Sequence, residues 1–279
     1  MNIRTILQIS RPRFWLYTTG PYFIGLLFAI QSFDQLLDPL ALFYLFYFLF
    51  LGNYLIYGVN DLSDYETDKQ NPKKKLKEYL LQTKDITFIH LSLWVIFGFS
   101  ISLLFLQPNT LSAILLALFL FFSLGYSLKP IRFKAKPFLD SFSNILYVLP
   151  GFLAYTQFTG QLPPWYIIIG ATTWSAAMHL YSAIPDILYD TKAKIQTTAT
   201  YLGRQMSFFF CSFLWFSTAI LLFSLGLYSL YLLWVYPLIP ILHLAFRKLD
   251  EKKVYWYFPF ITYTIGFLVS IEYMYFSLY

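Results

Sequence analysis

Residues 40–77 read LALFYLFYFLFLGNYLIYGVNDLSDYETDKQNPKKKLK. The twenty positions from Leu40 to Val59 carry no charge. That is enough helix to cross about 30 Å of hydrocarbon. Asp61, Asp64, Glu66 and Asp68 follow at once, and then a run of lysines. A long apolar helix that stops abruptly in a polar loop is the pattern of a membrane span, and the same pattern recurs along the chain. Nine segments qualify, near 14–33, 40–59, 86–106, 110–128, 141–160, 164–183, 206–224, 227–246 and 256–276. Continuous apolar runs fill these windows, where strands of a barrel show alternation.

Composition agrees. Of 279 residues, 58% are hydrophobic, 12% are charged, and 62 are Phe, Tyr or Trp. A soluble domain carries about 25% charged residues, and a chain this short cannot hide so much apolar surface from water. An ordinary soluble globule and a disordered tail are excluded. The single cysteine, Cys211, also excludes a disulfide-stapled module. A net charge of +6 suggests nucleic acid until the charges are placed. Arg4, Arg11 and Arg13 precede the first span. Lys69, Lys73, Lys74, Lys75, Lys77 and Lys84 follow the second. Lys129, Arg132, Lys134 and Lys136 follow the fourth, Lys192, Lys194 and Arg204 the sixth, and Arg247, Lys248, Lys252 and Lys253 the eighth. Nine spans put all of them on one face, which the positive-inside rule makes cytoplasmic. The N-terminus is then inside, and no nucleic-acid partner is implied. Lys73, Lys74 and Lys75 read as an anchor to anionic lipid. The expected fold is all-α: nine transmembrane helices bundled around a central cavity, in one domain over 1–279.

Two acidic clusters share the cytoplasmic face. Asp61, Asp64 and Asp68 stand at i, i+3 and i+7, a single stripe if the helix continues. Asp186 and Asp190 stand at i and i+4. Aligned carboxylates repel, and the C-terminal end of a helix makes that worse. A cation compensates. Few hard oxygen ligands, open to phosphate, suit Mg²⁺. A solvated loop explains one such cluster; two in register on one face point to a site. An EF-hand does not fit, because the glycine and glutamate its loop requires are missing after Asp61. Lys129 and Arg132 are placed either to meet an anion or to anchor at the membrane surface. Asn60 adjoins the first cluster as a phosphate or metal contact. His179, seven residues before Asp186, either faces the same cavity more deeply or tethers a neighbouring helix. Ionisable residues within the spans are scarce, which argues against a transporter or metal carrier.

Three patches together resemble the UbiA superfamily of intramembrane prenyltransferases: Asn60-Asp61-x-x-Asp64-x-x-x-Asp68, Tyr126-x-x-Lys129 with the basic residues after it, and Asp186-x-x-x-Asp190. Ser10-Arg11-Pro12-Arg13-Phe14-Trp15, the run Met178 to Ile187, and Thr197-Thr198-Ala199-Thr200-x-Leu202-Gly203 are similar to the lycopene elongase branch. Leu188 and Lys194 depart from that branch, and Leu188 leaves the second motif one acid short. The resemblance implies a prenyltransferase that ionises an allylic prenyl diphosphate and passes the prenyl group to an apolar acceptor from the bilayer. A carotenoid with a dimethylallyl donor is the first expectation; a quinone precursor, tetrapyrrole or lipid is the alternative. Asp61, Asp64 and Asp68 would hold one Mg²⁺, and Asp186 and Asp190 a second. Asn60, Lys129 and Arg132 would contact the diphosphate. Tyr126, His179 and Tyr181 would line the cavity, where aromatic faces stabilise a carbocation. The implied location is the cell (inner) membrane of a prokaryote, among membrane lipids, with the site on the cytoplasmic side.

Overall fold

In a computed structural model, the protein is described over residues 3–68, 79, 81–246 and 249–277, with the backbone alone for residues 3, 67, 68 and 277. The lysines at 73–75, expected to anchor to lipid, lie outside the described residues. Within them the chain is helical and holds no strand. It runs through α1 (Ile3–Ile9), α2 (Leu16–Leu27), α3 (Pro39–Phe46), α4 (Gly52–Ser63), α5 (Tyr65–Asp68), α6 (Thr83–Leu104), α7 (Thr110–Gly125), α8 (Leu139–Phe142), α9 (Leu149–Thr159), α10 (Trp165–Ala183), α11 (Ile187–Lys192), α12 (Thr198–Phe223), α13 (Val235–Ala245) and α14 (Glu251–Ser277).

Among the described residues, six helical runs are long and apolar enough to cross a membrane: Pro39–Ser63, Thr83–Leu104, Trp165–Lys192, Thr198–Phe223, Tyr228–Ala245 and Glu251–Phe276. The other three expected spans fall on shorter helices, α2, α7 and α9. At 1.5 Å per residue, α2 and α9 reach only about 16–18 Å. The reason is local at α9. A 3₁₀ stretch, Ser143–Tyr147, precedes it, and the helix restarts at Leu149 with Pro150 in its first turn. Proline has no N–H to give and restricts the residue before it.

The described residues divide into two compact units that interleave in sequence. The first holds the described residues of Met1–Ala29, Asp34–Arg132 and Leu149–Gln161. In it α2 crosses α9 at close range: a Cβ built on Gly25 would stand 2.0 Å from the Gly151 carbonyl oxygen. Only glycine allows that approach. A π-helical turn, Tyr47–Leu51, links α3 to α4 in one continuous rod. The Phe48 carbonyl in that turn accepts from Thr18 Oγ1 and Asn53 Nδ2, both at 2.7 Å. Farther along the interior, Tyr22 Oη donates to Gln157 Oε1 at 2.9 Å, Gln157 Nε2 to Gln107 Oε1 at 3.1 Å, and Gln107 Nε2 to Tyr44 Oη. Lipid offers buried polar groups no partner, so they find one another.

The second unit holds the described residues of Ile30–Phe33, Phe133–Val148 and Leu162–Tyr279. Here α10 packs along α12, with Gly170 against Leu222. Its core is aromatic: Tyr181, Phe208, Trp215, Tyr236 and Phe258 are each buried, and their rings meet tilted or edge-on. Inside α12 the helix is interrupted at Gly203, whose φ of 73° and ψ of 168° suit glycine alone. Glu272 accepts the N–H groups of Tyr228 and Ser229 at 2.5 and 2.6 Å, capping the 3₁₀ turn Tyr228–Trp234. Leu91, Trp94, Val95, Phe209 and Phe213 stay exposed on membrane-length helices, as lipid contact requires.

Candidate active site

In the first unit the acidic stripe is not one continuous helix. α4 ends at Ser63, and Asp64 has φ of −102° and ψ of 4°, outside helical geometry. The Asp64 N–H still bonds the Asn60 carbonyl at 3.0 Å, so the turn closes before the chain re-enters helix at Tyr65. Ser63 Oγ donates back to the Val59 carbonyl at 2.8 Å. The break leaves Asp61 in the last turn of α4 and Asp64 at its C-cap, where the helix dipole disfavours a carboxylate and a cation is the compensation. Asp68 closes α5; its side chain lies outside the described residues.

Two carboxylates of this cluster, Asp61 and Asp64, meet a guanidinium. Arg11 Nη2 donates to Asp61 Oδ1 at 2.8 Å, and its Cζ lies 4.6 Å from the centre of the Tyr57 ring. Asp61 is only 6% exposed. Arg132 Nη2 stands 3.6 Å from Asp64 Oδ1. Arg132 is thus in the site region, on a carboxylate. Asn60 Oδ1 accepts from Ser127 Oγ at 2.9 Å, which ties α4 to the end of α7. Tyr126 is half-buried beside it and Lys129 is exposed. The sequence reading assigned like-charge compensation here to a metal and missed Arg11 as its local source. The signal was present as an arginine before a proline ahead of the first span, but charge counting alone treats it as one more anchor.

In the second unit, Pro185 ends α10, and a 3₁₀ turn, Ile184–Asp186, leads into α11. Asp186 sits at the junction with φ of −102°, and Asp190 lies inside α11. Asp186 is therefore the N-cap of α11 and Asp190 its fourth residue, not two positions of one regular helix continuing α10. Lys252 Nζ stands 3.9 Å from Asp186 Oδ1, both groups half exposed. The Asp190 carbonyl accepts the Ile195 N–H at 2.8 Å, which folds the following loop back.

Tyr181, expected to line a cavity, belongs to the core instead. It is wholly buried, its Oη lies 2.7 Å from His243 Nε2, and Phe258 covers its ring at 4.8 Å between centroids. Burial of a phenol in an apolar span demands such a partner, and His243 supplies it. His179 meets a different residue, Asp140, which the sequence reading did not single out. Asp140 is fully buried. Its Oδ2 accepts the Thr198 N–H at 2.9 Å, and its Oδ1 accepts the Thr198 hydroxyl. His179 Nε2 stands 3.8 Å from Asp140 Oδ2. The Phe138 N–H closes the group on Thr198 Oγ1 at 2.7 Å, and Asn144 Nδ2 on the Asp140 carbonyl at 2.6 Å. Asp140 thus sits at the N-terminus of α12, where the helix dipole favours a carboxylate.

Among the described residues, no three His, Cys, Asp or Glu side chains gather closely enough to hold one ion by themselves. The oxygen donors present fit a hard divalent ion that takes one or two protein carboxylates and completes its shell with phosphate and water. Asp61 and Asp64 offer one such pair, one turn apart, and Asp186 with Asp190 a second.

A profile described as the UbiA prenyltransferase family matches residues 18–270. The chain belongs to the UbiA prenyltransferase family. This family member is 37% identical to a lycopene elongase/hydratase of Haloarcula japonica over 98% of its own length and 92% of that protein. It is 38% identical to a lycopene elongase/hydratase of Haloferax volcanii over 94% of its length and 86% of the relative. A solved structure of a UbiA homolog from Archaeoglobus fulgidus, bound to DMAPP and Mg²⁺, superposes with a TM-score of 0.73. That match has 20% identity and covers 96% of this chain and 99% of the other, a likeness of fold. The protein is a UbiA-type intramembrane prenyltransferase, and its sequence kinship lies with the lycopene elongase branch.

Proposed function

We propose that this enzyme transfers a dimethylallyl group from its diphosphate to the ends of lycopene, using Mg²⁺ at two positions. The observation that carries the reading is identity of 37–38% along nearly the whole chain to proteins named for that activity. Asp61, Asp64 and Asp68 serve one metal position, and Asp186 and Asp190 the other. Bound Mg²⁺ neutralises the charge that builds on the departing diphosphate. Asn60 hydrogen-bonds a phosphate oxygen while Ser127 fixes its amide. Lys129 and Arg132 add positive charge at the same leaving group; for Arg132 this means exchanging its carboxylate partner for phosphate. Tyr126 presents an aromatic face to the allylic cation. The apolar acceptor arrives from the bilayer.

The same reading keeps nine crossing segments, the N-terminus and both acidic motifs on the cytoplasmic side, in a prokaryotic cell membrane. The three short helices complete their crossings with the irregular turns that adjoin them. Interleaving of the two units in sequence supports a single catalytic domain, since neither unit is a continuous stretch of chain.

The test is expression in a lycopene-accumulating bacterium, with Asp64→Asn as control and mass spectrometry of the extracted pigments. Pigments heavier by one or two five-carbon units, absent from the control, are expected, and added water shows in the same masses. Unchanged lycopene beside membrane-inserted protein would overturn the acceptor.

A further inference from the structure

We infer that Arg11 is a counter-ion that opposes a lone divalent ion at Asp61, so that the first metal position fills together with the diphosphate and not before it. This rests on the assignment of Asp61 to a metal position made above.

The seat for Arg11 is built on α4. Tyr57 and Asp61 stand at i and i+4, one turn apart on one face of that helix. Arg11 lies across both: Nη2 donates to Asp61 Oδ1 at 2.8 Å, and Cζ is 4.6 Å from the centre of the Tyr57 ring. A guanidinium suits such a seat, because it is weakly hydrated and binds carboxylates and aromatic faces alike. The side chains of Arg11 and Asp61 are 16% and 8% exposed, against 27% and 17% for Arg132 and Asp64, which stand 3.6 Å apart. The Arg11 pair is the closer and the drier of the two.

The turn that presents Arg11 is unusual. A residue before proline is ordinarily extended, yet Arg11, before Pro12, has φ of 52° and ψ of 74°. Its neighbours hold it there. Trp15 Nε1 donates to the Ser10 carbonyl at 3.1 Å and to Ser10 Oγ at 3.0 Å, and the Phe14 N–H bonds the Arg11 carbonyl at 2.8 Å. Arg132 also has a left-handed backbone, with φ of 40°. Strained backbone of this kind persists where the surroundings fix it, and it gathers at functional sites. Here it carries both arginines that touch the acidic cluster.

A metal ion at Asp61 Oδ1 meets a positive charge 2.8 Å from that oxygen. Mg²⁺ also gives up its water reluctantly, and so dry a carboxylate leaves little room for a hydrated ion. An ion arriving alone therefore sets two positive charges side by side where water screens them poorly. Diphosphate changes that balance. Its oxygens complete the metal's shell, and its charge offers the guanidinium a second anion as Asp61 turns to the metal. Arg11 acts through Asp61 and is a positioning residue: it disfavours metal held without donor.

The experiment titrates the full-length enzyme in mixed micelles with Mn²⁺, reading free Mn²⁺ by EPR, first alone and then with dimethylallyl S-thiolodiphosphate. Without the diphosphate, Arg11→Met and Arg11→Gln are expected to bind Mn²⁺ about tenfold more tightly than wild type. Arg11→Lys, which keeps the charge, should stay within about threefold of wild type. The gain should vanish when Asp61→Asn is added, which shows that it runs through that carboxylate. Arg11→Gln keeps a donor for Asp61, so it carries the test where Arg11→Met does not fold. A residue that merely anchors the N-terminal turn predicts Mn²⁺ affinity unchanged or lowered in both variants, and that result overturns the inference. So does a gain that survives Asp61→Asn. Wild-type enzyme that takes up no Mn²⁺ even with the thiolodiphosphate overturns the metal assignment itself, and the inference with it.

Discussion

Replacing Arg11 by methionine removes the guanidinium but keeps the aliphatic stem. Asp61, 6% exposed at the end of α4, then loses its partner at 2.8 Å. A hydrogen bond to a charged group contributes about 1.5–3 kcal/mol, and the guanidinium over Tyr57 adds about 1 kcal/mol. Arg11→Met should therefore cost about 3 kcal/mol of stability without metal. Asp61→Asn keeps the shape and an acceptor oxygen, so its own cost is smaller. The double variant should recover part of the loss, with a coupling energy of about 2 kcal/mol. Residue 11 has a φ of 52°; Arg and Met share that backbone cost, so it cancels in the cycle. Reversible unfolding of the four proteins in Mg²⁺-free mixed micelles gives the number. A coupling below about 0.5 kcal/mol would refute the claim that these guanidinium groups neutralise the acidic cluster at rest.

Further outcomes follow from the same geometry. EDTA should abolish pyrophosphate release and Mg²⁺ restore it, while Asp64→Asn should stay inactive at any Mg²⁺ concentration yet insert and elute like wild type. Gly25→Ala should cost about 3 kcal/mol in the same unfolding assay, since its Cβ would meet the Gly151 carbonyl oxygen at 2.0 Å. Gly98→Ala, inside α6 with nothing within 4 Å of its Cβ, should instead stabilise by about 0.5–1 kcal/mol. Gly203→Ala should cost about 1–3 kcal/mol through its backbone alone, read as a lowered unfolding midpoint.

Class, family and the positions of the acidic motifs were legible in the sequence because they depend on one-dimensional patterns. Apolar runs announce helices in lipid, and runs such as Met178–Ile187 can be set beside a known branch without coordinates. Local backbone was less legible. The stripe Asp61–Asp64–Asp68 assumes a helix through Ser63, but the chain breaks at Asp64; the pair Asp186–Asp190 assumes one regular helix, but Asp186 is the N-cap of α11. Side-chain partners across the chain were not legible at all. Arg11 finds Asp61 fifty residues away, and Asp140 finds Thr198 fifty-eight away. No spacing rule links them. Tyr181 shows the converse: its place near the second motif suggested a cavity wall, but its phenol is spent on His243 in the core.

The chain of amides and phenols from Tyr22 through Gln157 and Gln107 to Tyr44 bears on a problem that greasy helices share. Leucine and phenylalanine are nearly interchangeable as neighbours, so two apolar rods can slide or rotate by a turn and bury almost as much. Dispersion alone selects poorly among those alternatives. Linked polar groups select sharply, because a shift of one turn opens several hydrogen bonds together in a medium with no water to replace them. The ladder therefore works as a key: it contributes little to the depth of the native well and much to its uniqueness. In a chain with 62 aromatic side chains, that uniqueness is what lets one arrangement of the helices persist.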